Sequence, residues 1–357
     1  MTRSVVLAEP YRMEIREFPL PDVGPQDMLL KVEMCGICGG EPKKYTGQST
    51  WEMPFPIILG HEVVGYVQEV GGKAAETYQV QPGDRVTIEP YIGCGFCEFC
   101  SAGYYQLCTH QRCYGTSDCA DTPPHLFGAY GEHLFVSWGS RVHKVDRGVP
   151  AEAAHLSSVI GNGVRWARTK GQVQFQEPVV IIGPGAQGLG AVISCVESGS
   201  HPIIVVGVAS DKKRLELARE FGAHHTLVNG EVNVAEAVRD ITHGKMPRVV
   251  LECSGTLPGF ELGLELVRPL GRLVMAGVPH GQRANLALQK VPLKEITILG
   301  ALGQLYSEVA DAVKILNSRR YPIEKIVTHV FPMEKAEEGM KFFMSKDPSC
   351  IRVALKP

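Results

Sequence analysis

Short apolar runs punctuated by Gly and Pro fill the chain up to about residue 150: SVVLAE, MLLKVEMCG, EVVGYVQEV, DRVTIEP and EHLFVSW. Runs of this length, rich in Val and bounded by turn sequences such as PDVGPQD and QPGD, predict strands. A β-rich domain held by non-local pairing is the expected result. From about Ala151 the texture changes, because AEAAHLSSVIGNGVRWARTKG carries helical spacing. Strands PVVIIGPG, PIIVVGV, RVVLECSG and GRLVMAGV then alternate with the helical segments LGAVISCVESG, DKKRLELAREFGA and FELGLELVRPL. Repeated strand and helix predict a parallel sheet covered on both faces, a doubly wound α/β fold. After Val291 come ITILGALG, a helix near SEVADAVKILNSR and a tail ending RVALKP, which we expect to return to the first domain. The expected division is 1–155, 156–293 and 294–357.

A chain of 357 residues fits two domains, and 44% apolar against 21% charged residues suits a large buried core. The net charge is only -2 and no basic run would track phosphates, so nucleic acid and membrane surfaces are poor partners. The start MTRSVVLAEPYRMEI lacks a signal-like apolar stretch, and no run of about 18 apolar residues occurs, so a cytoplasmic location is expected. Eleven cysteines, bunched between Cys94 and Cys119, point to metal rather than to disulfides.

Cys94, Cys97, Cys100 and Cys108 stand in GCGFCEFCSAGYYQLC. Two residues between successive thiolates let one loop wrap a tetrahedral zinc, and Cys108 closes the fourth corner. Four sulfur ligands leave no open position, so this zinc should be structural. Cys113 and Cys119 break the spacing and read as free thiols.

Gly183-Pro-Gly185-Ala-Gln-Gly188 follows the apolar strand VVII and opens a helix, the context of a dinucleotide-binding turn. The next strand, PIIVVGV, would usually end in an acidic residue for the adenosine ribose; Gly207 stands there and Asp211 comes four residues later. Asp211 could reach the ribose and favour NAD, which we take as the expected coenzyme. Ser210, Lys212, Lys213 and Arg214 could instead cradle the extra phosphate of NADP, or the lysines could simply be solvated. Cys38 in EMCGICGGE and His61-Glu62 in FPIILGHEVVG are a thiolate, an imidazole and a carboxylate, the ligand types of an open catalytic zinc site, although Cys38 or His61 taken singly would more often be a packed or surface residue.

In order, CGICGG, FPIILGHEVVG, GDRV, GCGFCEFC with Cys108, GPGAQGLG, LECSG and GRLVMAGV resemble the zinc-containing medium-chain alcohol and polyol dehydrogenases over nearly the whole chain. The resemblance implies a GroES-like catalytic domain, interrupted by a Rossmann domain, with an active site in the cleft between them and a homodimeric or homotetrameric assembly. Cys38 and His61 would hold a catalytic zinc, with Glu62 a ligand as in the polyol branch. Gln187 would sit at the phosphates, Arg214 near the ribose, and Gly277, Val278, Ala301 and Leu302 beside the nicotinamide half.

Three positions depart from the family pattern. Gly40 replaces the Ser or Thr whose hydroxyl relays the substrate proton; Glu41 replaces Asp, and Lys43 replaces His. The third metal ligand, a Cys or Glu in the family, should fall in AHLSSVIGNG, where Ser157 and Ser158 occupy the two candidate positions. A serine hydroxyl is a poor zinc ligand. The metal could therefore sit on Cys38, His61 and Glu62 with a water, bind weakly, or be lost.

The leading expectation is hydride transfer between a nicotinamide coenzyme and a small secondary alcohol, polyol or ketone. A zinc-poor reductase of an activated C=C or C=N bond, and a non-catalytic nucleotide-binding or redox-sensing protein, are the alternatives. Trp51 and Phe55 could wall the substrate pocket, or be ordinary loop and core aromatics.

Overall fold

The structure is a computed structural model that describes every residue except Thr50, Trp51, His280, Gln282, Ala284 and Asn285. The expected role of Trp51 therefore lies outside the described residues. The chain forms two compact units, Met1–Ser158 with Leu305–Pro357, and Val159–Gln304.

In the first unit a seven-stranded sheet runs in the order Val142–Lys144, Arg85–Ile88, Glu62–Val70, Met28–Gly36, Arg352–Lys356 and Val327–Pro332, with His133–Val136 pairing on Met28–Gly36. A smaller sheet joins Arg12–Phe18, Thr2–Glu9 and Ile57–Ile58. Their apolar faces enclose one core that includes Val6, Leu30, Tyr45, Ile58, Val86, Tyr114, Tyr130 and Val353. Phe55 packs against this core, which supports its reading as an ordinary core aromatic.

Register decides what meets at one end of the large sheet. Gly36 pairs with Glu62 on one side and with Ala354 on the other, both antiparallel. The residues just beyond Gly36, the start of Glu62–Val70 and the last strand of the chain therefore converge. The C-terminal strand comes back across more than three hundred residues to close this corner, a pairing visible only in three dimensions.

The second unit holds six parallel strands in the order His225–Val228, Ile203–Gly207, Val179–Ile182, Val249–Glu252, Arg272–Met275 and Thr297–Gly300. Numbered along the chain this is 3-2-1-4-5-6, the dinucleotide-binding order. Val179–Ile182 and Val249–Glu252 are buried throughout, because helices on both faces exclude water from the central strands. Thr297–Gly300 completes the sheet, so residues 294–304 are grouped with this unit; the sequence division had put them in the C-terminal segment. Among the described residues no helix is long and apolar enough to cross a membrane.

Candidate active site

Cys38, His61 and Glu62 come together: one ligand atom from each lies within 4.8 Å of the others, and Glu62 is fully buried. Each is positioned by the corner just described, Cys38 two residues past Gly36 and His61-Glu62 at the start of the neighbouring strand. Burial first, and then the Glu62 carboxylate, pushes the Cys38 thiol up to about 12. Burial likewise raises Glu62, while Arg352 opposes that rise. His61 is held well below its ordinary value by burial, then by Lys44 and Arg352, so its imidazole is neutral and able to donate a lone pair. A thiol and a carboxyl group that burial resists ionising, beside a neutral imidazole, are donors whose charged forms a divalent cation would stabilise together. Glu62 Oε2 and His61 Nδ1 have no hydrogen-bond partner, so the donor set fits a resident zinc.

Glu41, one of the departures from the family pattern, ties this set together. Its buried carboxylate accepts from Cys38 N at 2.9 Å and from Gly60 N at 2.9 Å, and Tyr130 OH donates to it at 2.5 Å. His61 Nδ1 stands 3.6 Å from Glu41 Oε1. One side chain thus braces both ligand-bearing loops, a role that the extra methylene of Glu does not abolish. Lys43 points to Gln48, whereas Lys44 binds Gly115 O and Thr116 Oγ1. Beside Gly40 a Cβ would meet nothing within 4 Å, so the missing hydroxyl leaves open space.

Three residues at this corner had no signal in the sequence reading. Arg352 Nη2 donates to Glu62 Oε1 at 2.8 Å and Nη1 to Ile37 O at 2.9 Å. Tyr130 reaches Glu41 as above. His155, fully buried, stands two residues before Ser157 in the same segment. Ser157 is instead engaged with Thr87, Oγ to Oγ1 at 2.7 Å. His155 is pushed down to about 3, by burial and then by Arg352.

Cys94, Cys97, Cys100 and Cys108 form the second donor cluster, and it includes neither Cys113 nor Cys119. Sulfurs of Cys94 and Cys100 stand 4.0 Å apart, and those of Cys97 and Cys108 3.8 Å. A tetrahedron with zinc–sulfur bonds of about 2.3 Å has edges of about 3.8 Å, so the cage already has the size of the ion. Backbone amides of Cys94, Cys97, Cys100 and His110 point at the sulfurs of Cys94, Cys97 and Cys108 from 3.3 to 3.5 Å, whereas burial pushes the Cys100 thiol up to about 12. The Cys97 thiol is pulled down to about 5, chiefly by the Cys100 amide.

In the second unit Gly183 takes φ +94 at the end of the first strand, where its Cβ would sit 2.7 Å from Ser254 N. A Cβ on Gly188 would fall 2.0 Å from Gly183 O, so helix and turn approach too closely for any side chain. Gly185 caps the helix Ala186–Glu197 without a side-chain hydrogen bond, leaving first-turn amides for an anion, and the space beside it is open. Gln187 accepts from Asn162 Nδ2 at 3.2 Å. The Glu252 carboxylate, raised by burial, accepts from Ser254 N and Gly255 N. Its backbone oxygen accepts from Gly277 N, so this one residue shapes the loop that carries Gly277 and the exposed Val278. Ala301 and the partly exposed Leu302 follow the last strand of the same sheet.

Asp211 is nearly buried and already engaged. Its carboxylate accepts from Val208 N at 3.1 Å and pairs with Arg214 at 2.9 Å. A Cβ on Gly207 would come 3.2 Å from Asp211 Oδ2, so the carboxylate stands beside the strand end where the usual acidic residue would project.

These features define the class. Residues 24–147 match the alcohol dehydrogenase GroES-like domain and residues 188–318 the zinc-binding dehydrogenase family. The chain belongs to the zinc-containing medium-chain alcohol and polyol dehydrogenases, and is an oxidoreductase acting on CH–OH groups. It is 32% identical to a probable alcohol dehydrogenase of Mycobacterium tuberculosis over 95% of this chain and 93% of that one. To an erythritol/L-threitol dehydrogenase of Mycolicibacterium smegmatis it is 30% identical, over 99% and 97% of the two chains. An alcohol dehydrogenase structure from Thermotoga maritima superposes with a TM-score of 0.90 at 28% identity, covering 100% of this chain and 99% of that one. Membership implies zinc, a nicotinamide coenzyme and a small-molecule substrate.

Proposed function

We propose that this chain interconverts a secondary alcohol or polyol and its ketone at Cys38, His61 and Glu62, with NAD as coenzyme. The convergence of those three donors within 4.8 Å carries the reading. When bound there, zinc supplies Lewis-acid polarisation of the substrate oxygen, which eases loss of the hydroxyl proton. Cys38 and His61 are held by Glu41, so the donors keep their geometry while substrate exchanges. With no hydroxyl at position 40, the proton leaves to water in the open space beside Gly40. The second unit orients the coenzyme through the Gly183-to-Gly188 turn, and Gly277, Val278, Ala301 and Leu302 lie on loops at the same strand ends. Metal analysis of freshly purified protein tests the reading: about two zinc ions per chain are expected, one structural and one catalytic. About one, unchanged in Cys38→Ser, would remove the catalytic metal.

Support for NAD comes from the Asp211 carboxylate beside Gly207, since a fixed negative charge there repels a 2′-phosphate. Asp211→Asn removes this negative charge and should shift the kcat/KM ratio toward NADP by about tenfold, equivalent to about 1.4 kcal/mol. Steady-state kinetics with both coenzymes decide it; an NADP preference in the unaltered chain that the substitution leaves in place contradicts the assignment.

A further inference from the structure

His155 is completely buried, yet neither ring nitrogen has a hydrogen-bond partner. Buried polar groups are satisfied in the great majority of cases, and one left bare usually marks a bound species or a functional role. The ring's surroundings show which. A Cβ placed on Gly36 would meet Glu62 Oε2 at 2.7 Å, His155 Cε1 at 2.7 Å and His155 Nδ1 at 2.9 Å. The imidazole edge and the carboxylate oxygen therefore crowd the one point that glycine leaves vacant, two residues before Cys38. Glu62 Oε2 is a further unpartnered atom there, while Arg352 occupies Glu62 Oε1.

We propose that His155 is a ligand of the metal held by Cys38, His61 and Glu62, approaching from the Glu62 side. The inference rests on the catalytic-metal reading above and deepens it. His155 is not one of the three residues whose donor atoms all lie within 4.8 Å of one another, so joining them requires its ring or the Glu62 carboxylate to move. Chemistry favours this. A neutral imidazole is a far better zinc donor than the serine hydroxyls two and three residues later, and Ser157 is in any case turned to Thr87. With Glu62 bound to Arg352 on one oxygen, an added neutral donor completes the set without importing another buried negative charge.

The test compares the intact protein with His155→Leu and His155→Glu, using zinc content, zinc affinity against a chromophoric chelator, and the visible spectrum of the cobalt-substituted form. His155→Leu is expected to weaken the more labile zinc by about a hundredfold or more and to change the cobalt bands, leaving the four-cysteine zinc in place. His155→Glu, which restores a donor, should recover most of that affinity with a spectrum of its own. If His155→Leu binds the second zinc as tightly as the intact protein and its cobalt bands coincide, the inference is overturned while the catalytic-metal reading stands. If the intact protein itself takes up only the four-cysteine zinc, both fall together. Should His155→Leu fail to fold, His155→Glu decides alone: altered cobalt bands support coordination, and unaltered bands overturn it.

Discussion

Cys38→Ser is expected to lower kcat/KM for alcohol oxidation by at least about a thousandfold, roughly 4 kcal/mol of transition-state stabilisation. The size follows from what the lost metal would have supplied. A bound zinc can bring the pKa of water from about 15.7 to about 7, and loss of an alcohol proton gains in the same way. Serine nearly preserves the volume of cysteine but is a poor donor, so the change removes coordination more than packing. Cys35 cannot substitute, because its buried sulfur donates to Gly36 O and lies outside the donor set. Zinc content should fall by about one ion per chain, with the four-cysteine zinc and coenzyme affinity retained. That pattern separates a lost metal from a lost fold. A decrease in kcat/KM of less than about tenfold would show that turnover does not depend on this residue.

What the sequence made legible is what lies close together along it. The four cysteines and the turn from Gly183 to Gly188 each occupy one short segment, so spacing alone fixes their geometry. Cys38, His61 and Glu62 lie 24 residues apart at most, and their ligand types single them out without knowledge of the strand register. Arg352 was invisible for the opposite reason. It meets Glu62 only because the last strand pairs beside Gly36, and no local pattern encodes a partner 290 positions away. His155 is harder to read for a chemical reason: the family pattern calls for thiolate or carboxylate in AHLSSVIGNG, and a histidine at the end of the short helix Ala151–Ala154 fits neither. Glu41 was read as a departure, yet its carboxylate braces both ligand loops, since side-chain length alone does not fix where a carboxylate ends. At the other boundary, Thr297–Gly300 reads as the start of a separate tail because the preceding strand, Arg272–Met275, ends more than twenty residues before it.

With no metal on Glu62, Arg352→Met is expected to destabilise the protein by about 3–5 kcal/mol, the usual cost of removing one partner of a buried ion pair. Arg352 and Glu62 side chains are each only 3% exposed, so solvent does not screen the charge left behind. Methionine keeps much of the apolar stem, which confines the change to the guanidinium. The loss includes the hydrogen bond to Ile37 O, the carbonyl immediately before Cys38, so the ligand loop loosens along with the carboxylate. Urea unfolding should show a lower midpoint with an unchanged slope, as for a stability change without a new denatured state. Adding Glu62→Gln to Arg352→Met should recover part of the loss, because the second change removes the uncompensated charge. Simple additivity of the two changes would mean that the pair is not coupled. A cost below about 1 kcal/mol for Arg352→Met would mean that water or a bound cation already neutralises Glu62, and that the C-terminal strand holds this corner by backbone pairing alone.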